Sequence, residues 1–312
     1  EAVGVNISEP KPVKQRKKVS EMRIVTLDEY LAFVSRNKEV EIEGQVIKLE
    51  PLRVDRLGPV SSESADVSTT VWSFPDRGSW ATHRGDYRGN WPPQLVRALL
   101  LMYTKPGDTV LDPMVGSGTT CIEAVLLGRN CVGVDINYNA VMLTWHRIYW
   151  LRRHLEELAR GGGIDAHLGV GEIEQMLKTK VELYHGDARR LNLIPDGSVD
   201  MVATHPPYWG IVQYSGVAGD LSSARTLGEY LAMMKEVSGE AYRVLKPGKY
   251  AAILIGDTRI RKHYVPISHY VLDVFLDTGF ILKEEVIKLQ HKMKTTREVW
   301  QKLGERDFLL IF

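Results

Sequence analysis

From about residue 94 onward the chain alternates short continuous apolar runs with longer stretches of helical period, the pattern of parallel strands joined by helices. The apolar runs 109–111, 130–134, 181–185, 199–203, 250–256, 281–290 and 307–312 predict seven strands. Segments 94–103, 119–128 and 138–159, and a further one reaching Lys180, predict the helices between them, with Gly161-Gly-Gly163 ending the longest. That order predicts an α/β, Rossmann-like seven-stranded sheet.

The pattern before this region is different. Residues 1–22 carry Lys11, Lys14, Arg16, Lys17 and Lys18 around Pro10 and Pro12, a run that cannot bury a core and reads as a basic flexible arm. Residues 23–70 predict a small N-terminal appendage and linker. In it Thr26 caps an amphipathic helix through Arg36, 40–49 alternates like one strand, and the Ser-rich stretch 57–70 reads as a loop. Residues 71–312 are then the main domain. Its opening, from Trp72 to Pro93, is too rich in Gly and Pro for regular structure, yet its aromatic content would be costly to leave in water. It is expected to be an ordered loop packed on a ligand site. Arg77, Arg84 and Arg88 on that loop read either as phosphate contacts or as ties to carboxylates of the same domain.

Composition mainly excludes. The 312 residues are 44% hydrophobic and 25% charged with a net charge of +1, a balance that neither demands nor forbids a polyanionic partner. No apolar run approaches a membrane span, and Glu1-Ala-Val-Gly-Val does not read as a secretory signal, so a soluble, cytoplasmic protein is expected. Cys121 and Cys131 both fall in predicted buried elements, where they are expected to be simple core residues. No disulfide framework and no metal site is predicted.

Candidate chemistry gathers at the strand ends. Asp112-Pro-Met-Val-Gly116-Ser-Gly118-Thr-Thr follows the first strand, and the second ends in Asp135. Glycines let backbone amides approach a ligand closely, and a carboxylate at the second strand tip can accept both hydroxyls of a ribose, so an adenosine-bearing cofactor is expected. The dinucleotide fingerprint would need a third glycine where Cys121 stands, and Asp112 would oppose a pyrophosphate. S-adenosylmethionine, with its sulfonium and ammonium groups, fits better than NAD. A structural glycine turn is the plain alternative. Asp187, at the tip of the third strand, is placed to reach the adenine amino group or to cap a turn.

The fourth strand delivers Thr204-His-Pro-Pro-Tyr-Trp209. Two prolines just past a strand fix the backbone and present carbonyl oxygens, and the aromatic pair Tyr208 and Trp209 can stack on a flat ring. The fifth strand ends in a basic loop with Arg259, Arg261 and Lys262 at the same edge.

These two motifs, at the tips of strands one and four, resemble those of the amino-methyltransferases that modify N4 of cytosine or N6 of adenine, over about residues 72–312. The resemblance implies a methyltransferase sheet with S-adenosylmethionine as cofactor. By it Asp112, Pro113, Gly116, Gly118 and Thr119 carry the methionine end, Asp135 the ribose, and Asn90 and Trp91 border the same pocket. It also implies catalysis by His205, Pro206, Pro207 and Tyr208. The chemistry is consistent: an exocyclic amine is a poor nucleophile, and acceptors on its N–H groups favour a more nucleophilic nitrogen as positive charge develops. The Pro206 carbonyl and the His205 side chain can be those acceptors, with Tyr208 and Trp209 against the base and Arg88, Arg259, Arg261 and Lys262 as substrate contacts.

His205 departs from the family's usual Ser or Asp, and the Pro-Pro-Tyr-Trp continuation favours cytosine. A C5-cytosine mechanism needs a cysteine nucleophile, and neither cysteine lies near the fourth strand. Short insertions leave only 143–180 and the appendage to recognise a target, which tips the expectation to structured RNA such as ribosomal RNA over DNA. A small-molecule methyltransferase and a non-catalytic nucleic-acid binder are the alternatives from other classes. The sequence does not give the oligomeric state.

Overall fold

The computed structural model describes residues 21–63, 66–161, 169–209, 219–260, 263–289, 291 and 306–311. The N-terminal part holds β1 (Arg23–Val25), α1 (Leu27–Arg36), β2 (Glu39–Ile42), β3 (Gln45–Lys48) and β4 (Val71–Ser73). The Thr26 hydroxyl caps α1 by accepting the Glu29 N–H, and Asp28 and Glu29 complement the positive end of that helix.

Strands and helices then alternate: α2 (Pro93–Tyr103), β5 (Thr109–Asp112), α3 (Thr119–Leu126), β6 (Asn130–Asp135), α4 (Tyr138–Ala159), α5 (Val170–Lys178), β7 (Val181–His185) and β8 (Val199–Thr204). The chain continues with α6 (Leu227–Val244), β9 (Leu245–Gly256), the pair β10 (Thr258–Ile260) and β11 (His263–Val265), α7 (Ile267–Thr278), β12 (Glu284–Leu289) and β13 (Arg306–Ile311). Every residue of β8 is buried, which is why it reads as an unbroken apolar run instead of alternating.

One sheet carries the fold, in the order β1-β7-β6-β5-β8-β9-β13-β12-β4. β5 pairs in parallel with β6 on one side and β8 on the other, so the chain reverses its direction of travel across the sheet at β5. Ligands bind outside the carboxyl ends of strands at such a point. The strands β7 to β12 in this order are the seven expected ones. β13 runs antiparallel between β9 and β12.

Several expectations need correction. Among the described residues the sheet has nine strands, because β1 adds antiparallel to β7 and β4 adds parallel to β12. Three residues each is too short to register as an apolar pattern. The stretch read as one strand over 40–49 is a hairpin of β2 and β3, turned at Glu43-Gly44. The basic loop after β9 is likewise a hairpin in its described part, while Arg261 and Lys262 lie outside the described residues, as does the basic arm 1–20.

Cys121 and Cys131 form a disulfide, with Cα atoms 5.2 Å apart. Both are buried as expected, but the crossover lays α3 along β6 and brings residues ten positions apart into bonding distance. Residues of the N-terminal segment, including Val25, Tyr30, Val40 and Ile47, share one apolar core with α2, α3 and α4. Tyr30 bonds to His146 of α4 at 2.8 Å, and the Trp145 indole N–H donates to the Val25 carbonyl at 2.8 Å. Among the described residues no helix is long and apolar enough to cross a membrane.

Candidate active site

The turn after β5 is shaped by two glycines in the left-handed region, Gly116 at φ +53° and Gly118 at φ +85°. Side chains have no room there. A Cβ on Gly116 would lie 3.1 Å from the Tyr87 ring, and one on Gly118 would lie 2.7 Å from the Thr144 methyl. Thr144 also donates to the Gly116 carbonyl at 2.9 Å. The turn is thus clamped from α4 and roofed by the aromatic loop.

Two buried carboxylates flank it. Asp112 Oδ1 accepts from the Thr204 hydroxyl (2.9 Å) and the Met114 N–H (3.1 Å), and Oδ2 accepts from Thr120 (2.5 Å). Burial pushes its pKa up to about 6, with those donors pulling the other way. Asp135 accepts the N–H groups of Gly116 and Asn137, each at 2.8 Å, and so fixes the turn to the tip of β6. Burial, with Asp220 and Asp112 nearby, pushes it up to about 7. Each Asp135 oxygen has a lone pair beyond the one used by the backbone, which is what a ribose diol requires.

A cleft opens over this turn. Its walls bring together Asn90, Trp91, Asp112, Pro113, Gly116, Thr119, Asp135, Asp187, His205 and Pro207 from the residues singled out in the sequence. Gly118 is set back from the cleft as the N-cap of α3. Asp187 is held by its neighbour Arg189, Nη2 to Oδ2 at 2.6 Å, so its carboxylate is already engaged at the cleft edge. The walls also include Tyr87, Asn137 and Asp220, which the sequence reading missed. Only the aromatic density of the 72–93 loop signalled Tyr87, and nothing in the pattern signalled Asp220.

At the β8 tip the His205 ring stacks on Trp91, centroids 6.1 Å apart at 26°, and its Nε2 bonds to the Tyr208 hydroxyl at 2.8 Å. Burial, with the Lys288 charge adding to it, pushes His205 down to about 3, so the imidazole is neutral at physiological pH. Tyr230 donates to the Pro207 carbonyl at 3.1 Å and pins the double-proline turn to α6. Trp209 is half-buried, its indole N–H donating to the Ala224 carbonyl at 3.2 Å. Arg88 is exposed, and Arg259 lies over the Tyr264 ring at 5.6 Å; neither is on the cleft wall. Arg77 donates to the backbone carbonyls of Gly78 and Trp91, so it ties the loop to main chain and not to a carboxylate.

This fold and cleft define an S-adenosylmethionine-dependent methyltransferase domain, in which the glycine turn, Asp135 at the tip of β6 and the proline turn after β8 converge on one space. The chain matches a family model described as DNA methylase over residues 6–144 and 199–303, and an RMKL-like methyltransferase domain over 86–224. It belongs to the N6/N4 DNA methylase family. It is similar to a tRNA (guanine(10)-N2)-dimethyltransferase of Methanothermobacter thermautotrophicus, 34% identical over 211 residues, 67% of this chain and 48% of that protein. The type II methyltransferase M.SmaI of Serratia marcescens is 31% identical over 127 residues, 40% of this chain and 38% of that protein. A solved S-adenosylmethionine-dependent methyltransferase from Methanosarcina mazei has 18% identity and a TM-score of 0.42, over 68% of this chain and 95% of that one. The chain therefore spans about half the length, or less, of these curated relatives.

Proposed function

We propose that the protein transfers a methyl group from S-adenosylmethionine to an exocyclic amine of a base in structured RNA, with N4 of cytosine as the first target. The observation that carries this is the neutral His205 on the wall of the cofactor cleft, next to Pro207 of the rigid proline turn, with Pro206 buried behind them. A neutral imidazole can accept one N–H of the amine, and the Pro206 carbonyl the other. When bound, S-adenosylmethionine would supply the methyl from its sulfonium, and the His205 and Pro206 acceptors would hold the amine N–H groups and take the proton the nitrogen loses.

In the ligand-free arrangement Tyr208 holds His205 Nε2, so the substrate amine replaces the tyrosine hydroxyl when the base enters. Tyr208→Phe keeps the ring and removes that competitor. It is expected to retain transfer within about threefold, whereas a hydroxyl with a chemical role would cost about 10²-fold or more.

The tRNA guanine-N2 relative favours a second reading, in which the same acceptors receive the guanine amine. The DNA methylase family match keeps DNA cytosine N4 or adenine N6 as the runner-up. Flipping a base from a duplex costs more than presenting an unpaired one, which supports RNA. A cytoplasmic location follows from such a substrate. The test is labelled methyl transfer to ribosomal RNA, tRNA and genomic DNA lacking modification, followed by nucleoside mass spectrometry. Label in N4-methylcytidine is expected; label only in N2-methylguanosine or only in deoxynucleosides would move the assignment accordingly, and none at all would overturn it.

For the cofactor, Asp135→Ala is expected to weaken binding by about 10- to 100-fold, since it removes hydrogen bonds to a charged acceptor. Wild-type affinity should also rise as the pH climbs through about 7, because the ribose hydroxyls need the ionised Asp135. Calorimetry that finds unchanged affinity in the variant would place the ribose elsewhere.

A further inference from the structure

The hairpin of β2 and β3 ends in a two-residue turn whose central residues, Glu43 and Gly44, both have positive φ, +55° and +72°. Asn-Gly or Asp-Gly is usual in such a turn, and a glutamate in the left-handed region is sterically disfavoured. The hairpin is nonetheless firmly seated. Val40, Ile42 and Ile47 are buried, and the Asn139 side chain of α4 donates to the Glu41 carbonyl at 3.0 Å.

The Asn139 contact seats the hairpin at the start of α4, just past β6, with Glu43 within electrostatic reach of Asp135. Both of its carboxylate oxygens are buried, and neither has a hydrogen-bond partner among the described residues. The charges that act on it are Asp135 and Asp220, both on the cleft wall, and the guanidinium of Arg88. Burial first, and those two carboxylates in addition, push Glu43 up to about 7, against the pull of Arg88. Buried polar atoms are almost always paired, and strained backbone is concentrated where a ligand is held. Among the described residues, this acceptor on a strained turn near Asp135 is therefore left without a donor.

We infer that Glu43 is a further carboxylate of the cofactor site, accepting a hydrogen bond from a hydroxyl or amino group of the adenosine half of S-adenosylmethionine. The inference rests on the cofactor assignment above. Adenosine offers donors at the ribose hydroxyls and the exocyclic amine, and an ionised carboxylate can only accept, which makes the match chemical and not merely spatial.

The experiment is calorimetric titration of the full chain and of its Glu43→Gln variant with S-adenosylmethionine and with S-adenosylhomocysteine, alongside the melting temperature of each ligand-free protein. The variant should bind both ligands about tenfold or more weakly, because both carry adenosine. Its ligand-free melting temperature should be equal or higher, because the change removes an unpaired buried charge. Equal affinities would overturn the inference alone. A loss confined to S-adenosylmethionine would point to the sulfonium charge and overturn the adenosine contact. A lowered melting temperature would mark Glu43 as structural and overturn it too. A wild-type chain that binds neither ligand would take down the cofactor assignment and the inference with it.

Discussion

Replacing His205 by alanine should leave S-adenosylmethionine bound and slow methyl transfer by about 10²–10³-fold, the usual cost of removing one preorganised hydrogen-bonding group from a reacting centre. The glycine turn and Asp135, the proposed cofactor anchors, make none of their hydrogen bonds to His205, so cofactor affinity is expected to stay within a few-fold. The transfer step is different. His205 carries a ring acceptor at the cleft wall, and it also spaces Trp91 from Tyr208 by contact with both rings. His205→Asn separates these two duties, since it keeps an acceptor but not the ring. Partial rescue in that variant would mean that accepting the amine matters more than stacking. Single-turnover kinetics with pre-bound cofactor, on the nucleic acid that proves to be methylated, is the measurement. Full activity in His205→Ala would remove the residue from the mechanism.

The strength of that expectation comes from how differently the parts of the molecule could be read in the sequence. β5, α3 and β6 are local: an apolar run, two glycines, a helical period and a second run state their conformations within 27 residues, from Thr109 to Asp135. The proline turn is local for the same reason. Partners brought in by the fold were not legible. Thr204 and Thr120 fill the lone pairs of Asp112 from two different elements, and no spacing announces that. Cys121 and Cys131 look like two core residues until the crossover stacks helix on strand. Glu43-Gly44 lacks the Asn or Asp that marks a tight hairpin, so two strands read as one and the carboxylate they present within electrostatic reach of Asp135 went unnoticed. Tyr87 sits in irregular backbone, where no periodicity says which way a side chain faces. Its position over Gly116 follows only from the path of the whole 72–93 loop.

That path depends on one buried carboxylate, and Glu123→Ala should be the most destabilising single change in the domain. Glu123 lies in α3 with no exposed surface. Its Oε1 accepts from the Trp80 indole and from His83 Nε2, each at 2.7 Å, and its Oε2 accepts from Arg97 of α2 at 2.9 Å. Burial favours the protonated acid, but these three donors more than offset it and hold the carboxyl below its usual range. His83 is buried too, and burial keeps it below its ordinary 6.5 despite the carboxylate beside it. It is therefore neutral and donates through Nε2. Alanine would leave an arginine, an indole and an imidazole facing one another with no acceptor, a loss of about 3–5 kcal/mol. At this chain length that is a fall in melting temperature of about 5–8 °C. Glu123→Gln keeps an acceptor and should fall by less. The sign with pH is set by both groups: a lowered carboxyl and a lowered imidazole each stabilise the fold at neutral pH and withdraw that stability as the pH drops. The share of wild-type stability held by this cluster should therefore begin to fall as the pH drops below about 6.5. In the alanine variant the carboxylate's share is already gone, so its acid dependence should be shallower. Because the same residues hold the loop that roofs Gly116, cofactor affinity should fall with stability. A Glu123→Ala protein that melts within about 2 °C of wild type would show that the loop is held by its aromatic packing instead.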